Sequence, residues 1–95
     1  MTDKINIDWF KVRIAPHLDN YVLNYRHFEN GDFGDLDQVS FESEKIGGEI
    51  DFWSLGRLSI FIWSYEKEKQ LLNILLEPLD DKHQVFNILN EILLN

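Results

Sequence analysis

Residues 38–65 read "QVSFESEKIGGEIDFWSLGRLSIFIWSY", and their hydrophobic period is two. Over 38–44, Val39 and Phe41 alternate with Ser40, Glu42 and Glu44; over 48–54, Ile50 and Phe52 alternate with Glu49, Asp51 and Trp53. Successive side chains of a strand point to opposite faces, so each piece reads as a half-buried strand. Gly47-Gly48 and Leu55-Gly56 supply the turn signals. The next piece, 57–65, is apolar on both sides, with Leu58, Ile60 and Ile62 opposed to Phe61, Trp63 and Tyr65. A strand of that kind is central in its sheet, or has its second face covered by a partner. Connections this tight pair neighbouring strands antiparallel.

Working outward toward the C-terminus, "EKEK" (66–69) turns the chain and "QLLNILLEP" (70–78) is a fourth apolar run. Its short length, between charged residues and Pro78, fits a strand. In "PLDDKHQVFNILNEILLN" (78–95), Asp80 or Asp81 is an N-cap, and Val85, Phe86, Leu89, Ile92 and Leu93 form one helical stripe. Toward the N-terminus, "PHLDNYVLNYRHFENG" (16–31) places Leu18, Tyr21, Val22, Tyr25 and Phe28 at the spacing of a helix face. Pro16 suits the first turn of that helix and Asn30-Gly31 its stop. "IDWFKVRIA" (7–15) adds a turn or two before a break at Pro16, with Asp8 as N-cap and Trp9, Val12 and Ile14 inward. The expected fold is α+β: an N-terminal helix, a four-stranded antiparallel β-meander and a C-terminal helix packed on the sheet. At 95 residues the chain is expected to be one domain, 1–95.

Charge is unevenly spread. Residues 29–51 hold Glu29, Asp32, Asp35, Asp37, Glu42, Glu44, Glu49 and Asp51 against Lys45 alone, which is seven of the chain's net eight negative charges. Like charges held together repel in a compact state, so an external cationic partner is the natural reason for the cluster. The 44 % hydrophobic and 14 % aromatic content is ample for a core. No cysteine is present, which removes disulfides and thiolate sites and points to a cytoplasmic location. "MTDKINIDWF" has no secretory pattern, and no apolar run approaches the roughly 20 residues of a membrane helix. A polyanion does not bind nucleic acid or anionic lipid directly, so neither is an expected partner.

Pairing of 38–44 with 48–54 would put Glu42, Glu44, Glu49 and Asp51 on one face with Trp53. Carboxylates opposite one another on a hairpin are unfavourable, which argues for a use outside the fold. The bland reading is a solvated face that aids solubility. Against it stand the concentration of the charge and the aromatic rings on the same side, a combination common at protein interfaces. Asp32, Asp35 and Asp37 in "GDFGDLD" extend the acidic region. Phe61, Trp63 and Tyr65 continue the Trp53 face unless a helix covers them. "DFGDLDQVSFE" (32–42) also offers Asp32, Asp35, Asp37 and Glu42 as oxygen ligands for calcium, but not at EF-hand spacing. His17, His27 and His83 lack partners at a diagnostic spacing. No phosphate-cradling loop, HExxH or Gly-x-Ser-x-Gly elbow occurs. An enzyme is not expected, nor a cofactor.

The run "GGEIDFWSLGRLSIFIW" (47–63), followed by "LLNILLEP" (71–78), resembles small bacterial immunity proteins of the contact-dependent growth inhibition type. The resemblance spans about residues 29–78, carried by the Gly-Gly pair, the Asp-Phe-Trp-Ser corner and Leu71-Leu72-Asn73. It implies a small acidic cytoplasmic inhibitor that binds a basic toxin domain, often a nuclease. The chain itself is expected to be a monomer or weak dimer. The contacts expected from the charge and strand reading are Glu42, Glu44, Glu49 and Asp51, anchored by Trp53 and Trp63, with Asp32, Asp35 and Asp37 steering from the rim. The competing readings are an acidic nucleic-acid mimic or adaptor that binds a host basic protein, and a calcium-binding structural domain.

Overall fold

Among the described residues, two helices lie on one face of a five-stranded sheet and none lies on the other. The computed structural model describes residues 4–94. In chain order the elements are α1 (Ile7–Arg13), a 3-10 turn (Ala15–His17), β1 (Val22–Gly31), β2 (Gly34–Glu42), β3 (Ile46–Trp53), β4 (Leu58–Ser64), β5 (Lys69–Leu76) and α2 (His83–Leu94). Strand order is β1-β2-β3-β4-β5, all antiparallel. The α+β meander with a helix at each end is as expected; the strand count is five, not four.

The extra strand is the segment expected to be the N-terminal helix. Val22–Gly31 pairs with β2, Leu23 against Phe41 and Tyr25 against Val39. Leu18, Tyr21, Val22, Tyr25 and Phe28 therefore share no helix face: Leu18 is buried from the end of the 3-10 turn, while Val22 and Tyr25 point to opposite faces of the sheet. The real helix is the upstream piece. Its N-cap is Asn6 and not Asp8, because Asn6 Oδ1 accepts the Trp9 N–H at 2.9 Å. Phe10 and Ile14 are its buried residues, and Val12 is exposed. Pro16 does break the helix, inside the 3-10 turn.

Sequence chemistry explains the turns. Asn30 sits in the left-handed region at φ 63° and Gly34 at φ 91°, which closes the β1–β2 hairpin. The β2–β3 turn is at Ser43–Lys45 and not at Gly47-Gly48; Ser43 Oγ accepts the Ile46 N–H at 3.2 Å. Gly47 and Gly48 lie inside β3, opposite Glu42 and Phe41. Gly56, at φ 105°, turns β3 into β4. At the start of α2, Asp81 Oδ1 accepts the His83 N–H at 3.0 Å, and that bond lowers the Asp81 carboxyl below its ordinary range.

The core lies between helices and sheet. Val39, Phe41, Ile50, Phe52, Leu58, Ile60 and Ile62 meet Phe10, Ile14 and Leu18 and the α2 stripe Val85, Phe86, Leu89 and Leu93. Each such side chain contributes about 1.5–3 kcal/mol when fully buried. Phe52 and Phe86 stack with centroids 6.4 Å apart, and Trp9 meets Phe86 edge-on at 4.7 Å, which ties the two helices together over β3. Ile92 is only half-buried, at the margin of this core. No helix among the described residues is long and apolar enough to cross a membrane.

Candidate functional site

Strand parity writes the uncovered face in rows. Across the sheet, Arg26, Gln38, Asp51, Ser59 and Leu75 form one row, and Asn24, Ser40, Glu49, Phe61 and Asn73 the next. A third row holds Val22, Glu42, Gly47, Trp63 and Gln70. Leu36 and Trp53 stand at the opposite end. Side chains of these rows face away from Ile50, Ile60 and Ile62, so both helices are on the other side.

The face brings Glu42, Glu49, Asp51, Trp53 and Trp63 together on one surface. Glu44 is removed from it because the turn comes earlier, at Ser43–Lys45. It stands instead beside a hollow of about 580 Å³ lined by His17, Tyr21, Ile46 and Leu93, on the helix side of the sheet. Asp37 also faces the helix side, where its carboxylate is 2.6 Å from His27 Nδ1 across the β1–β2 ladder. Asp35 holds turns together: its Oδ1 accepts the Asn30 N–H at 3.1 Å, and its own N–H donates to Ser54 Oγ at 2.9 Å. Asp32 is exposed at the tip of the β1–β2 hairpin. The proposed calcium set is thus dispersed, since the seven steps along β2 from Asp35 to Glu42 span about 23 Å. Among the described residues no group of three or more His, Asp or Glu side chains converges on a metal position.

The acids on the face differ in freedom. Asp51 is half-buried and satisfied internally, accepting from Gln38 Nε2 at 2.8 Å and Ser59 Oγ at 3.0 Å. Glu49 is exposed as a residue, yet its carboxyl is raised above its ordinary pKa, first by burial and then by Asp51, with Arg26 opposing. Glu42 accepts the Tyr65 hydroxyl at 2.9 Å, and that bond raises the tyrosine. To reach Glu42, the Tyr65 ring crosses Gly47, where a Cβ would collide with the hydroxyl and come within 2.9 Å of Cζ.

Aromatic residues form two groups. Phe61, Trp63 and Tyr65 surround a shallow hollow of about 410 Å³ with Gly47, Gly48 and Glu49. Trp63 and Tyr65 are exposed, at 37 % and 45 % of their surface. Whether this trio is core or surface was open from sequence; the helices' shared side leaves Phe61 half-buried and the other two in solvent. Trp53 belongs to the second group. It is half-buried, edge-on to Phe33 at 6.4 Å, with the Arg57 guanidinium 3.7 Å from the Phe33 centroid and 3.1 Å from Glu77. Sequence reasoning missed Arg26, because a helix at 16–31 put it elsewhere. It also missed Tyr65's grip on Glu42; the small Gly47 opposite bulky Trp63 was the available signal.

Compared with protein-family models, with curated proteins and with solved structures, the chain has no significant match.

Proposed function

We propose that this chain is a non-enzymatic binding module whose helix-free sheet face docks a basic protein, acting in the cytoplasm as an immunity protein that occludes a toxin domain such as a nuclease. The observation that carries the reading is the exposed pair Trp63 and Tyr65 beside Glu42 and Glu49 on one bare face. Rings supply contact area that becomes buried on docking, and the carboxylates steer and select a cationic partner. Trp63 is the better anchor than Trp53, whose ring is already committed to Phe33. Asp51, satisfied by Gln38 and Ser59, serves mainly to hold the face in shape.

The test is to look for a basic toxin domain encoded beside this gene, co-express it with this chain, and measure kinetics on the purified pair. Growth is rescued by the parent chain, and Trp63→Ala speeds dissociation with little effect on the association rate. Association slows as ionic strength rises, because clustered charge accelerates encounter by about tenfold or more at low salt. A complex whose association rate ignores salt, or whose contacts map to α1 and α2, refutes the reading.

A further inference from the structure

We propose that the hollow lined by Trp63, Tyr65, Phe61 and Glu49, with Glu42 held at its edge by Tyr65, is a receptor for one arginine side chain of the docked partner. This rests on the docking face proposed above and specifies its central contact. Gly47 makes the hollow possible. It is the one position of β3's bare side without a side chain, between Glu42 on β2 and Trp63 on β4. A larger residue there would fill the floor and displace Tyr65.

The walls match a planar cation on two counts. Three aromatic residues line the hollow, and a guanidinium stacks on the negatively charged π face of such a ring. Two carboxylates stand diagonally across the β2–β3 ladder, Glu42 opposite Gly47 and Glu49 two residues further on. Such diagonal neighbours have backbones about 7–8 Å apart, close enough for both side chains to reach one cation, and a guanidinium offers five N–H donors in a fork where an ammonium offers three from a single point. The Tyr65 hydroxyl, bonded to Glu42, fixes one of those acceptors in place. Burial and Asp51 make Glu49 costly to keep ionised in the free protein, and an incoming cation relieves that cost. The same combination occurs within the chain, where Arg57 lies 3.7 Å over Phe33 and donates to Glu77 at 3.1 and 3.3 Å. Arg26, on the same face, lowers the Glu49 carboxyl's pKa only as the least of its influences and leaves the hollow's rings free.

The experiment titrates the ¹⁵N-labelled protein with N-acetyl-glycyl-arginyl-glycinamide, and with the lysine and citrulline counterparts of that peptide. The arginine peptide should shift the Trp63 indole N–H and the Gly47–Glu49 amides saturably at millimolar concentration, while the Trp9 and Trp53 indole signals stay put. Citrulline should give no saturable shift and lysine a several-fold weaker one. Trp63→Ala and Glu49→Gln should each weaken the arginine peptide by roughly tenfold. Absence of saturable shifts, equal binding of citrulline or lysine, or shifts centred on Trp53 would overturn the assignment. If the peptide fails while a basic partner still docks through Trp63, the docking face stands and the arginine receptor falls. If the peptide binds and no basic protein does, the receptor survives without its proposed context.

Discussion

Two adjacent glycines in β3 face opposite sides of the sheet, so alanine at each should have unequal consequences. A Cβ at Gly48 would enter the helix-covered side, against the Phe61 carbonyl and 2.8 Å from the Phe41 ring. Neither neighbour yields easily: the carbonyl is backbone of β4, and Phe41 is 1 % exposed in the core. Overpacking of a core costs about 1–3 kcal/mol, and rigid neighbours put this site near the upper end. Alanine recovers about 0.5–1 kcal/mol of strand propensity, which leaves a net loss of about 2 kcal/mol. For a domain of this size that lowers Tm by about 8–16 °C. Gly47→Ala gains the same propensity but meets only the movable end of Tyr65. It gives up one solvent-exposed hydrogen bond, worth about 0.5–1.5 kcal/mol, so the net should lie between a gain of about 0.5 and a loss of about 1 kcal/mol. Urea unfolding followed by tryptophan fluorescence measures both. Equal costs at the two positions, or a Gly48→Ala protein as stable as the parent, would mean the faces of β3 are misassigned.

Glu49→Gln should stabilise the free protein at neutral pH even as it weakens cation binding. The folded carboxyl is raised above 4.5, so the folded state binds the proton more tightly and its stability falls as pH rises through that range; the variant's gain should vanish well below 4.5, as Tm against pH will reveal. His27 should titrate above 6.5 in the folded protein, chiefly through its hydrogen bond with Asp37. Its stabilising contribution is complete below 6.5 and disappears as pH climbs through the raised value; NMR titration of the His27 ring in Asp37→Asn should show the pKa falling back. Asp51→Ala should cost about 1–2 kcal/mol by leaving Gln38 and Ser59 without their acceptor, whereas Glu42→Ala should cost less than about 1 kcal/mol; chemical denaturation separates the two.

The central strands were legible because their alternation is clean. Val39, Phe41, Ile50 and Phe52 all face the core, and the double-sided "LSIFIW" is β4, an interior strand flanked by β3 and β5. Misplacing the β2–β3 turn did little harm, since Ser40 opposite Glu49 and Gln38 opposite Asp51 keep those acids on Trp53's side. The cost fell on Glu44 alone, which the true turn at Ser43–Lys45 carries off the face. β1 was illegible for a physical reason. It is an edge strand, exposed along most of its length, so no alternation of buried and polar residues marks it. Its scattered Tyr25 and Phe28 then imitated a helix stripe together with Leu18 and Tyr21 from the preceding turn. Asn30-Gly31 supplied a left-handed residue in either reading, as a helix stop or as a hairpin corner. The acidic patch was half legible: charge density is visible in a string of letters, but Asp35 and Asp37 turn out to be occupied by a turn and a histidine.

Each strand pairs only with its neighbours in the chain, so four successive hairpins can zip up with short loops to close. The long-range step is the meeting of the chain ends, where Trp9 reaches Phe86 and the Tyr21 hydroxyl reaches the Leu93 carbonyl. Folding should therefore be quick for a β-rich protein, with the ribbon of strands forming early and the two terminal helices locking onto it last.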